Sequence, residues 1–275
     1  MKVLVINCGS STLKFQLLEP GKARGGREDL TKLAQGIIGH IGDEASAEFS
    51  LGDGTTIEQT ASIADHGEAT RTAVEWLEST GLLKPDGLGA VGHRVVHGGS
   101  LFSQPALVDD GVLDGLQRTS SLAPLHNGPA LAAIRGVREA LGHDLPQVAV
   151  FDTAFHAGLP EKASAYAIPR ELAQKYDIRR FGFHGAAHRY MMERYAEISS
   201  TPVERLKLIT LQLGSGCSAA AIDGGRSMDT SMGFTPLEGL IMATRCGDVD
   251  PSLVGFLARR ERAEVEDVEE WLNTR

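Results

Sequence analysis

The chain has 275 residues, 42% hydrophobic and 23% charged, with a net charge of −9. That length allows one large or two ordinary domains with a real core. The absence of any run of about 18 apolar residues excludes a membrane-spanning helix. The acidity disfavours non-specific contact with nucleic acid or an anionic membrane, though not a small anionic ligand.

The opening residues 1–7 are too short an apolar run for a secretory signal, and no small-residue cleavage site follows. Residues 2–7 read as a buried strand, 9–12 as a turn, and 13–18 as a return strand with Leu13, Phe15 and Leu17 on one face. A polar hairpin around Gly52-Asp53-Gly54 is expected to supply a third strand. Residues 66–82 read as a helix with Ala69, Ala73, Val74 and Leu77 in register and Gly81 at its stop. Residues 90–96 form a strand, 129–141 a helix, 145–151 a strand and 186–198 a helix. Residues 206–213, the turn Gly214-Ser215-Gly216 and residues 217–222 then echo the opening strand–turn–strand. The echo suggests a duplicated architecture with each half offering one turn to a shared cleft; coincidence of two common hairpins is the alternative. The cysteines Cys8, Cys217 and Cys246 lack CxxC spacing, which argues against a zinc site or disulfide framework and suits a reducing cytoplasm.

Six segments could carry chemistry. Asn7-Cys8-Gly9-Ser10-Ser11-Thr12-Leu13-Lys14 combines turn N–H groups, hydroxyls and a lysine, the parts of a phosphate cradle, without P-loop spacing. Gly214-Ser215-Gly216 would be its counterpart. Arg94 interrupts an apolar strand, where a guanidinium serves either an anionic ligand or a structural ion pair. Asp152 follows a hydrophobic strand, at the edge where open α/β sheets place ligands; a capping role is the competitor. His184 and His188 have i,i+4 spacing, but no glutamate lies between them and no third ligand follows, so His184 reads as a donor in a cleft and His188 as structural. The segment 228–251 is rich in small and polar residues and carries Arg245, a second candidate anion clamp.

Taken together these segments resemble the acetokinase family of the sugar-kinase/heat-shock-ATPase/actin superfamily. The strings GHRVVHGG at 92–99, FDTAFH at 151–156, FGFHG at 181–185, MDTSMGFTPLEGL at 228–240 and TRCGDVDP at 244–251 stand in family order and near family spacing. The resemblance implies an α/β fold of duplicated ribonuclease H-like (actin-like ATPase) domains, one over 1–151 and one over 152–275. It implies reversible transfer of the ATP γ-phosphoryl to acetate with Mg²⁺ or Mn²⁺, ATP and ADP as co-substrates, a cytoplasmic homodimer, and neither nucleic-acid nor membrane partners. By matching position, Arg94, Asp152, His184 and Arg245 resemble catalytic residues. Ser10, Ser11, Thr12, Lys14, Gln212, Leu213, Gly214, Ser215 and Gly216 resemble the nucleotide-phosphate contacts. Arg94, Val96, Leu125, His126, Phe183 and Pro236 resemble the acetate site, and Asn7 the residue near the metal. Phosphoryl transfer needs alignment and cationic charge more than a base, so Asp152 is expected to position rather than to remove a proton.

Some positions depart from the family pattern. Thr12 stands for a third serine, Gln212 and Ser215 for His and Asn, and Ala186-Ala187 for Thr-Ser. The sequence given also stops after an amphipathic segment at 265–272, where the family continues into its adenosine-binding part. The expectation is an incomplete second domain and impaired turnover. The alternatives are an inactive remnant that binds phosphate or acyl phosphate, and a propionate or butyrate kinase.

Overall fold

The computed structural model describes residues 1–21, 30–83, 87–120 and 123–274, with the backbone alone for 124–126. The chain divides into two compact units, Met1–Phe151 and Asp152–Arg275.

The first unit is built on one mixed sheet. Its strands are β1 (Lys2–Cys8), β2 (Thr12–Pro20), β3 (Leu30–Gly39), β4 (Glu44–Leu51), β5 (Thr56–Ser62), β6 (Leu88–Val95), β7 (Ala106–Leu107) and β8 (Gln147–Phe151), in spatial order β5-β4-β3-β2-β1-β6-β8-β7. Neighbours from β5 to β1 are antiparallel, while β1, β6 and β8 run parallel. Helices α1 (His66–Ser79) and α3 (Pro124–Leu141) contribute to the same core as the sheet. Leu4, Ile6, Leu13, Phe15 and Leu17 meet Ala69, Ala73, Val74, Leu77, Ala133 and Val137 there. Period-2 alternation in β1 and β2 and period-3.6 spacing in α1 produce these apolar faces. The Asp65 side chain accepts from Glu68 N–H to start α1, and Gly81, at φ +71°, follows its end.

The structure corrects two expectations and adds one helix. The third strand is β3, whereas Gly52-Asp53-Gly54 turns β4 into β5. Helix α3 begins at Pro124, not Pro129, which lies inside it. Proline favours a first turn, and Pro124 takes that place; Asn127 then secures the extra turn by bonding to the His97 backbone and to Thr119. Helix α2 (Asp110–Thr119), capped by Asp109, gave no sequence signal that was read.

The second unit contains α4 (Glu161–Ser164), α5 (Arg170–Tyr176), α6 (Gly185–Ser199), β9 (Lys207–Leu213), β10 (Cys217–Asp223), β11 (Arg226–Thr230), α7 (Ser252–Glu261) and α8 (Val265–Thr274). Its sheet is an antiparallel meander, β11-β10-β9. Met192 of α6 packs with Leu206 and Ile222. Helix α8 buries Val268, and its Leu272 carbonyl accepts from Cys246 N–H. Among the described residues no helix is long and apolar enough to cross a membrane.

Candidate active site

In the first unit, strand register assembles a polar row. Asn7 of β1 stands opposite Lys14 of β2 and Arg94 of β6. Paired residues on adjacent strands share a face, and this face is opposite the one that buries Leu4, Ile6 and Cys8. Arg94 donates from Nη1 to Asn7 Oδ1 at 3.1 Å. Asn7 and Lys14 line a cavity of about 440 Å³ together with Gln16, Gln35 and Glu48.

The adjoining turn is closed by Gly9 N–H to the Thr12 carbonyl at 2.8 Å, and Ser10 and Ser11 are exposed at its tip. Behind it, His66 Nε2 donates to the Gly9 carbonyl at 2.9 Å; burial pushes the His66 pKa down. Asn127 bonds the His97 N–H and carbonyl at 3.0 and 2.8 Å. That fixes the strand exit carrying buried Val96.

In the second unit the candidates gather around the second turn. Gly214 N–H bonds the Gly216 carbonyl at 3.1 Å, and Ala243 N–H bonds the Ser215 carbonyl at 3.1 Å, so the Arg245 loop is tied to the turn. A Cβ at Gly216 would lie 3.3 Å from Arg245 Nη1 and 3.6 Å from His184 Cε1. The imidazole and the guanidinium therefore both flank the open side of Gly216, and a side chain there would crowd them.

His184 is the N-cap of α6 with φ +57° and ψ +23°, the left-handed region that few non-glycine residues occupy. Such strain is kept where the surroundings over-determine it, commonly at functional positions. The next residue, Gly185, donates to the Asp152 carbonyl at 2.9 Å, and a Cβ there would lie 2.2 Å from that oxygen. Only glycine lets α6 start this close to the Asp152 backbone. Asp152 is buried beside this helix start.

Beneath His184 lies a buried polar network. His184 Nδ1 is 2.9 Å from Ser218 Oγ, and the same oxygen is 2.8 Å from His188 Nε2. His188 Nδ1 is 2.8 Å from Thr210 Oγ1. His156 donates from Nε2 to the Phe183 carbonyl at 3.1 Å, and its Nδ1 is 2.7 Å from Ser227 Oγ. Burial pushes both His156 and His188 down to about 4, so both rings are neutral near pH 7. Among the described residues no three His, Cys, Asp or Glu side chains stand together as a metal cluster.

A clamp secures the loop that leads to Arg245. Arg180 pairs through Nη2 with Glu238 Oε1 at 2.6 Å and donates from Nη1 to the Thr230 and Ser231 carbonyls at 3.1 Å. Tyr166 O–H donates to the other Glu238 oxygen and accepts from Phe234 N–H. Burial, then the Glu238 carboxylate, raise the Tyr166 pKa, keeping the phenol protonated. Arg245 Nη1 donates to the Pro236 carbonyl at 3.2 Å within the clamped loop.

The model of the acetokinase family matches residues 2–275. The chain belongs to the acetokinase family. The acetate kinase of Halothermothrix orenii is 47% identical over 279 residues, covering 99% of this chain and 68% of that protein. Among solved structures, the acetate kinase of Porphyromonas gingivalis superposes with a TM-score of 0.88 at 36% identity. A propionate kinase from Francisella tularensis superposes with a TM-score of 0.90, also at 36% identity. Each structural match covers 99% of this chain, and 67% and 68% of the respective relative. This acetokinase-family chain therefore has the family's fold of duplicated ribonuclease H-like, actin-like ATPase domains and is a carboxylate phosphotransferase.

Of the residues singled out from the sequence, the structure groups Asn7, Lys14 and Arg94 beside the turn Ser10-Ser11-Thr12 in the first unit. It groups His184 and Arg245 around Gly216 in the second. Phe183 is buried, while Pro236 and Gln212 are partly exposed and Leu213, Gly214 and Ser215 are exposed. The side chains of Leu125 and His126 lie outside the described residues. Sequence reasoning missed Ser218, Thr210, His156 and the Tyr166–Glu238–Arg180 clamp. Only His156 carried a signal, as the histidine that ends the FDTAFH string.

Proposed function

We propose that this chain transfers the γ-phosphoryl of ATP to acetate, reversibly, giving acetyl phosphate and ADP. The observation that carries this reading is the convergence of His184 and Arg245 on Gly216 of the second glycine turn, where an added Cβ would lie 3.6 and 3.3 Å from them. It is a cationic and donor-rich site of the kind that stabilises a migrating phosphoryl group.

A carboxylate oxygen of acetate attacks the γ-phosphorus as the bridging bond to the β-phosphate oxygen breaks. No proton moves, because acetate is already ionised at neutral pH. Arg94 and Arg245 supply fixed positive charge to the equatorial oxygens, and His184 supplies an N–H donor. Ser10, Ser11, Thr12 and Lys14 bind nucleotide phosphates at the first turn, with Gln212–Gly216 doing so at the second. Asp152 positions its neighbours at the start of α6. Val96, Phe183 and Pro236 are the apolar groups assigned to the acetate methyl, and Leu125 and His126 complete the set by position.

Asn7 Oδ1 accepts one hydrogen bond from Arg94 and keeps a second lone pair. A single amide oxygen suits a Mg²⁺ or Mn²⁺ that arrives on the nucleotide and keeps most of its waters. When bound, that ion neutralises phosphate charge; Asn7 would hold it. A cytoplasmic homodimer belongs to the same proposal.

Acetate is favoured over propionate by the name of the 47% identical relative, although a propionate kinase fits the fold equally well. The test is trapping of acyl phosphate by hydroxylamine with acetate, propionate and butyrate. Acetate is expected to give the highest kcat/KM, with propionate lower by about 10–200-fold for one added methylene. A higher kcat/KM for propionate reassigns the substrate. Turnover no greater than the rate without protein overturns the catalytic reading, and phosphate binding retained in that case assigns a binding role.

A further inference from the structure

The buried network under His184 has a direction. A hydroxyl carries one proton, and Ser218 Oγ lies within hydrogen-bond distance of two imidazole nitrogens, His184 Nδ1 at 2.9 Å and His188 Nε2 at 2.8 Å. Ser218 can donate to one of them only; the other must donate to it. The far end of the chain decides which. Thr210 Oγ1 donates to the Ala220 carbonyl at 3.5 Å, and a carbonyl can only accept. The Thr210 oxygen therefore receives the proton of His188 Nδ1 at 2.8 Å. His188 is fully buried and neutral, so its Nε2 holds a lone pair and takes the Ser218 proton. Ser218 is left accepting from His184 Nδ1.

We propose that Ser218 and His188 are positioning residues that keep a proton on His184 Nδ1, through a chain running from His184 to Ser218, His188, Thr210 and the Ala220 carbonyl. The ring edge carrying Cε1 and Nε2, which lies against Gly216, then becomes a donor only when His184 is an imidazolium. The chain makes that charged form possible without any group having to reverse. The other charged or titratable groups around the ring are Asp152 at the start of α6, buried His156, and Arg245 beyond Gly216. The catalytic consequence rests on the phosphoryl-transfer reading above; the proton placement does not.

The experiment uses the whole chain with ¹⁵N-labelled histidine and reads imidazole tautomers by long-range ¹H–¹⁵N correlation at pH 7. The expected result is His188 protonated on Nδ1, the tautomer that free histidine disfavours. Thr210→Val removes the acceptor and is expected to move that proton to Nε2. In acyl-phosphate assays, Ser218→Ala is expected to lower kcat about tenfold with KM for acetate and ATP little changed, as expected for loss of a hydrogen bond to a charged group. Ser218→Thr, which keeps the hydroxyl, is expected to restore kcat to within about twofold. A wild-type His188 protonated on Nε2 overturns the proposal, as does a folded Ser218→Ala with wild-type kcat. A wild-type chain without turnover defeats the phosphoryl-transfer reading, and the tautomer spectrum still decides the chain's direction.

Discussion

The two glycine-turn hairpins, β1–β2 and β9–β10, share a local plan and differ in how their sites are held. Both begin with a seven-residue strand followed by a three-residue turn of glycine and serine. Strand β1 lies between β2 and β6, and its Leu4, Ile6 and Cys8 are buried. Strand β9 pairs with β10 alone among the described residues, leaving Ile209 77% and Leu213 71% exposed. In the first unit the backbone ladder aligns Asn7, Lys14 and Arg94. In the second, side chains hold side chains: His188 and Ser218 under His184, and Arg180 and Glu238 around the Arg245 loop. A ladder is a redundant restraint, since each strand is tied by many bonds. A side-chain chain breaks at its weakest single link.

The largest test of that contrast is Arg245→Ala. Its kcat is expected to fall about 10³-fold or more, the scale of a guanidinium acting on a transferring phosphoryl. Arg245→Lys should recover little, since an ammonium cannot reproduce the planar fork. A loss below tenfold would place Arg245 outside the chemistry.

The next test compares equivalent strand positions. Leu4→Ala, in the covered strand, should cost about 2–5 kcal/mol in denaturant unfolding. Ile209→Ala, in the uncovered strand, should stay within about 0.5 kcal/mol. Equal costs would mean that β9 is as well packed in solution as β1.

Acid should separate the units as well. His156 and His188 in the second unit, and His93 in the first, are all held down to about 4 by burial. Their unfolded forms take up a proton near 6.5. Between pH 6.5 and 4 the unfolded state therefore binds more protons, and stability falls as pH falls, by up to about 3 kcal/mol per histidine. Among the described residues the second unit carries two histidines held down to about 4 and the first unit one, with His66 of the first unit also lowered by burial. Amide hydrogen exchange at pH 5 should show its protection lost first, and the reverse order would contradict the burial assignments.

The smallest effect concerns the start of α6. Gly185→Ala sets a Cβ against the Asp152 carbonyl and should destabilise by about 1–3 kcal/mol. Gly158→Ala, with nothing within 4 Å, should be near neutral by the same thermal melt.

Much of this molecule was legible from local pattern. Alternation in residues 2–18 gave both strands and their buried face, and the spacing of Ala69, Ala73, Val74 and Leu77 gave α1 with its buried side. Such periodicities report which face meets apolar surroundings, a property carried by each short segment. The conspicuous glycines, arginines and histidines gave the candidate residues, because those side chains are rare in apolar strands unless they serve an ion or a partner. The third strand was misplaced because Leu30–Gly39 has weaker alternation than its neighbours and gains its strand character from pairing on both sides. The early start of α3 depends on Asn127 reaching His97, thirty residues away.

What sequence alone determined is the two glycine-turn hairpins, the buried faces of β1, β2 and α1, and the chemistry available to each turn, since these follow from side chains within a few residues. What only the tertiary structure decided is which ordinary serine or threonine matters. Ser218, Thr210 and Tyr166 look like any polar residues along the chain; folding buries Ser218 and Thr210 against His184 and His188, where water cannot replace a missing partner, and half-buries Tyr166 against Glu238.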